Sequence, residues 1–131
     1  MRTVLAALTL LAATSTFAEL VKVAEIADTA YYVDSAYRSD KANPRKVAVI
    51  QDYATQTGSG VRSRRVVYDV DCARERIRSL SATEYSEPMA SAKSVSSWER
   101  ESEWLYVAPT TGTNIASRTP YRAIVRFVCS A

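Results

Sequence analysis

No histidine occurs in the 131 residues, so the side chain that most often serves as general base in serine and cysteine hydrolases is missing. A metal centre is equally hard to assemble, because two cysteines without histidine supply half of a usual tetrahedral set. The three glycines form neither a phosphate-cradling loop nor a nucleophile elbow. No apolar run approaches the roughly twenty residues that a membrane-spanning helix needs. Charge of one sign is not in excess either: 17 Lys plus Arg stand against 14 Asp plus Glu, or 16 against 14 without Arg2. That balance lacks the basic field of a nucleic-acid binder. Neither cofactor nor nucleic acid is expected.

What is present begins with Met1 and Arg2, followed by an apolar stretch over residues 4–13 and a small, polar close through Thr14, Ser15, Thr16, Phe17 and Ala18. This order predicts a secretory signal over residues 1–18, cut after Ala18, with an amphipathic first helix as the alternative. Glu19, not cysteine, comes next. No lipid anchor is therefore readable, and the expected location is periplasmic or secreted. Residues 19–131 have the length of one domain, with enough chain for a modest core. Cys72 and Cys129 are the only cysteines, and in an exported chain an even pair is most simply a disulfide. Two free thiols or a two-cysteine metal site are the alternatives; an oxidising compartment argues against the first and the missing histidine against the second.

Hydrophobic alternation predicts short strands over residues 20–27 and 30–34, a clear strand over 46–54 and the strongest one over 61–72. In the last, Val66, Tyr68, Val70 and Cys72 share one face, while Arg65, Val67, Asp69 and Asp71 share the other. A turn through Ala73 and Arg74 returns the chain as an antiparallel partner over 76–85, and residues 93–98 read as an edge strand. Residues 97–109 carry Trp98 and Trp104 around a charged run and suit a helical turn or an irregular crossover. Thr119 before Pro120 matches an N-cap with proline at the first helical position. Tyr121, Ile124, Val125 and Val128 then form one apolar stripe, so a helix over 120–129 is expected. The fold class is thus α+β, an antiparallel β-sheet with a short C-terminal helix tethered by one disulfide.

The run Tyr68-Asp69-Val70-Asp71-Cys72, followed by Arg76, Ile77, Arg78, Leu80 and Tyr85, resembles the central strand pair of the surface-adhesin protein E family of small exported bacterial proteins. Tyr32-Val33-Asp34, residues 47–53, the segment from Trp104 to Pro109 with Thr113, and the closing Val128-Cys129 fall in the matching order. The resemblance covers most of residues 19–131. It implies an antiparallel sheet with a disulfide-joined C-terminal helix and a binding role rather than catalysis. Family members that act as adhesins bind extracellular-matrix and serum proteins and pair into dimers.

Candidate binding residues follow from the same stretch. Arg62, Arg64, Arg65, Arg74, Arg76 and Arg78 face only Asp69, Asp71 and Glu75. An anionic glycan or lipid head group is one expected partner for such a patch. The competing reading is a solvated strand face whose arginines block edge aggregation and pair with neighbouring acids. Tyr31, Tyr32, Trp98 and Trp104 are candidates for a protein interface. Asp69 and Asp71 lie one strand repeat apart and are the one carboxylate pair placed for glycoside chemistry, against the plainer reading of a solvated face. The expectation is a non-enzymatic binding module, with a periplasmic inhibitor or immunity protein against a secreted hydrolase as the alternative.

Overall fold

Six strands follow one another as an antiparallel meander, because the connections are short and no α-helix intervenes. The computed structural model describes residues 19–38, 42–107 and 115–130. Strands β1 (Leu20–Ile26), β2 (Thr29–Arg38), β3 (Arg45–Tyr53), β4 (Ser63–Asp71), β5 (Arg76–Tyr85) and β6 (Ser94–Glu99) pair in chain order. A two-residue strand β7 (Leu105–Tyr106) joins the same side of β5 as β6, further along it. Between them Arg100 N–H donates to the Leu80 carbonyl and Ser102 N–H to that of Ser79, both at 2.9 Å. The edge strand expected over 93–98 is β6, and residues 100–107 continue it as an interrupted edge strand where the sequence suggested a helical turn or crossover. The interruption falls where the β4–β5 register shifts beside Leu80.

Antiparallel register decides which side chains share a face. Val33, Val49, Val66 and Ala82 are successive partners across four strands, so they line up as one apolar row. Val47, Tyr68, Val70 and Ile77 extend that row into a core capped by helix α1 (Ile115–Cys129), which contributes Ile124, Val125 and Val128. Each such fully buried aliphatic side chain contributes roughly 1.5–3 kcal/mol.

The apolar stripe of the helix is the one read from sequence, but its start is not. The backbone is already helical at Ile115, and Pro120 lies inside the helix, where Thr119–Pro120 had the look of a start. At the sixth helical position proline lacks the N–H that would donate to the carbonyl four residues back, so the helix gives up one hydrogen bond near its start. Among the described residues no helix is long and apolar enough to cross a membrane.

The helix C-terminus is fastened twice. Cys129 is joined to Cys72, just beyond β4, with the α-carbons 5.7 Å apart. Arg45 Nη1 donates to the Val128 carbonyl at 2.7 Å, serving one of the acceptors that a helix end leaves open.

Candidate functional site

Two surfaces on β4, β5 and the edge segment gather the polar and aromatic residues. On the sheet face away from the helix, the β4–β5 register sets Asp69 opposite Arg78 and Asp71 opposite Arg76. Arg76 Nε donates to Asp71 Oδ2 at 2.8 Å, and Arg78 Nη2 to Asp69 Oδ2 at 3.1 Å. Both guanidinium groups stack on the Trp104 indole, 4.2 and 4.4 Å from its ring centroid. Arg76 Nη1 also donates to the Tyr106 hydroxyl at 3.4 Å, and Arg78 pairs with Glu101 at 3.6 Å. Acid, guanidinium and indole thus form three layers that hold the irregular edge segment onto β5.

The aspartates are not a solvated face: Asp69 and Asp71 are each 4% exposed. The arginines opposite them, with the Trp104 ring laid across, exclude the water that an alternating charged strand ordinarily meets. Asp69 Oδ1 is buried and accepts no hydrogen bond. Arg76, and then Arg74 through its backbone N–H, hold the Asp71 carboxyl below its ordinary value of 3.8. A carboxyl depressed on folding adds stability above its unfolded value, and that stability is lost as pH falls through the lower, folded one. Thermal melts from about pH 7 down to about pH 2 should therefore show Asp71→Asn less stable than the parent at neutral pH, the gap closing once pH drops below the ordinary carboxylate range. A gap that stays constant across the titration contradicts the pairing.

The remaining candidate arginines are dispersed. Arg62 pairs with Asp52 at 3.4 Å beside the short turn Pro88–Ala90. Arg64 lies on the helix side of the sheet, Arg65 is half-buried on the opposite side, and Arg74 stands in the β4–β5 turn with its guanidinium 3.6 Å from Asp71. Only Arg74, Arg76 and Arg78 come together, around the two buried acids.

On the helix side a cleft of about 270 Å³ lies between α1 and the edge segment. Its floor is Val66, Tyr68, Ile77 and Ala82, and its walls include Trp98, Tyr121, Leu105 and Arg64. The Tyr68 and Tyr121 rings meet edge to face, 6.2 Å between centroids. Burial pushes the Tyr68 hydroxyl well above the ordinary phenol value, so it stays protonated.

The large hydrophobic side chains exposed among the described residues are Val95 at 53%, Trp98 at 42% and Tyr106 at 51%, all on β6 or β7. All six residues of β6 are exposed. Of the aromatics singled out in the sequence, Trp98 is exposed, Trp104 is half-buried under the arginines, and Tyr31 and Tyr32 are half-buried on opposite faces of β2. Val95, Tyr106 and Gln51 were missed. Only a local cue pointed to Val95, an apolar residue amid the serines of 94–97.

The family model of surface-adhesin protein E matches residues 20–130. The comparisons with curated proteins and with solved structures give no match. The matched span takes in every strand, both cysteines and the helix that they fasten to the sheet, and the chain belongs to the surface-adhesin protein E family.

Proposed function

We propose that residues 1–18 direct export and are removed after Ala18, and that the mature domain works outside the cytoplasm as a periplasmic or secreted adhesin-like module without catalytic role. It binds a protein partner along the edge formed by β6 and β7. One observation carries this reading: Val95, Trp98 and Tyr106, the exposed large hydrophobics among the described residues, are all on the one sheet edge that β6 and β7 form along β5. An edge strand also offers backbone donors and acceptors to an incoming strand, and aromatic anchors supply much of the energy at protein interfaces. Family membership favours an adhesin-like role for the domain.

The test is binding of the oxidised mature domain to immobilised extracellular-matrix proteins, beside a Val95→Lys/Tyr106→Lys variant. The variant is expected to lose about tenfold or more in affinity, the worth of one modest anchor, and Val95→Lys alone, which leaves the Arg76–Tyr106 hydrogen bond in place, is expected to lose affinity with a melting temperature close to the parent's. Equal binding by both proteins removes the edge from the interface. Binding to a wall-degrading hydrolase in place of the matrix proteins gives the edge to an inhibitor.

A further inference from the structure

The cleft on the helix side holds a cation that the edge-binding reading does not use. Arg64 is half-buried at one end of the cleft, and its partner is a neutral amide: Nη2 and Nε donate to Gln51 Oε1 at 2.8 and 3.3 Å. Gln51 is only 3% exposed, and its other end is committed, with Nε2 donating to the Tyr68 hydroxyl at 3.0 Å. This network fixes both the amide and the guanidinium without cancelling the charge. Among the described residues no carboxylate lies within ion-pair distance of Arg64. Glu84, its cross-strand partner, instead accepts from the Ser96 hydroxyl at 2.8 Å. Arg78, the other arginine lining the cleft, is paired with Asp69 and Glu101.

A preformed cleft with an apolar floor, aromatic walls and one acid-free guanidinium has the composition of a small-ligand site. Its volume of about 270 Å³ is at the small end of such sites. The guanidinium selects for an anion, and with Nε and one Nη2 hydrogen committed to Gln51 its Nη1–Nη2 edge is the one that suits a carboxylate. Val66, Ile77, Ala82 and Leu105 favour an apolar body, and Trp98 and Tyr121 favour an aromatic one. Glu103, also on the cleft lining, disfavours a second negative group on the ligand. We propose that this cleft binds a small aromatic monocarboxylate, with its carboxylate on Arg64 and its ring between Trp98 and Tyr121.

Calorimetric titration of the oxidised mature domain with 4-phenylbutyrate tests the site. Binding is expected with a Kd of about 1 mM, typical of so small a ligand. Arg64→Gln should weaken it by about tenfold or more, as loss of one charge-assisted contact does. Trp98→Ala, at an exposed position, should weaken it several-fold with the fold intact. The neutral analogue 4-phenylbutyramide should bind the unaltered protein about tenfold less tightly than the acid, a comparison that stands even if Arg64→Gln fails to fold. The proposal is overturned if the acid does not bind at about 10 mM, if acid and amide bind alike, or if a folded Arg64→Gln variant retains full affinity.

Discussion

Replacing Cys72 and Cys129 together by serine is expected to cost about 4 kcal/mol, since the bond closes a loop with a sequence separation of 57. For a domain of this size that loss lowers the melting temperature by about 15 °C or more. Much of the effect comes from the unfolded chain, which the bridge shortens, but the folded state has its own reason to suffer. Helix α1 buries Ile124, Val125 and Val128 against the sheet and is held at its last turn by the disulfide and by Arg45. A 15-residue helix is marginal in isolation and relies on that docking. Thermal melts of the oxidised parent and the Cys72→Ser/Cys129→Ser variant give the difference directly. A loss below about 1 kcal/mol means that packing alone holds the helix in place.

Arg78→Ala is expected to destabilise the domain by about 3 kcal/mol, the usual consequence of removing one partner from a buried ion pair. The carboxylate left behind, Asp69, is 4% exposed and already has one oxygen without a hydrogen bond. Trp104 loses one of its two stacked guanidinium groups as well, and with it a hold on the edge segment. Replacing both charges, as in Asp69→Val/Arg78→Leu, should recover most of the loss, because a well-packed apolar pair needs no desolvation of charge. Chemical denaturation of the parent, the single variant and the double variant separates the terms. A double variant no more stable than the single one contradicts burial of the acid as the source of the cost.

The hairpin of β4 and β5 was the most legible part of the fold, since alternation runs unbroken through Val66, Tyr68 and Val70 and the chain returns after a short turn. The same hairpin held the clue to its buried acids. Once residues 71 and 76 are paired, antiparallel counting brings 69 opposite 78, so each aspartate meets an arginine. What sequence could not supply was the lid, because the placement of Trp104 depends on residues 100–107 returning along β5, and β7 is too short for any periodicity to register. The helix start failed for the opposite reason, a strong local signal at Thr119 and Pro120 overridden by helical backbone that begins at Ile115. The expected strand over 30–34 proved longer, running from Thr29 to Arg38, as it pairs with residues 47–53 of β3 across an irregularity between Asp34 and Arg38. Arg64 was visible as one of six arginines, yet its separate role rests on Gln51 across the ladder, a pairing fixed only by the β3–β4 register.

The proposed export into an oxidising space would supply both the staple and the binding role, and the intact mass of the protein recovered from its native source, without reduction and after exposure to an alkylating reagent, tests it most directly. The predicted species begins at Glu19, carries two hydrogens fewer than the reduced chain and takes up no alkyl group. A species that retains residues 1–18, or that is alkylated at Cys72 and Cys129, contradicts the account.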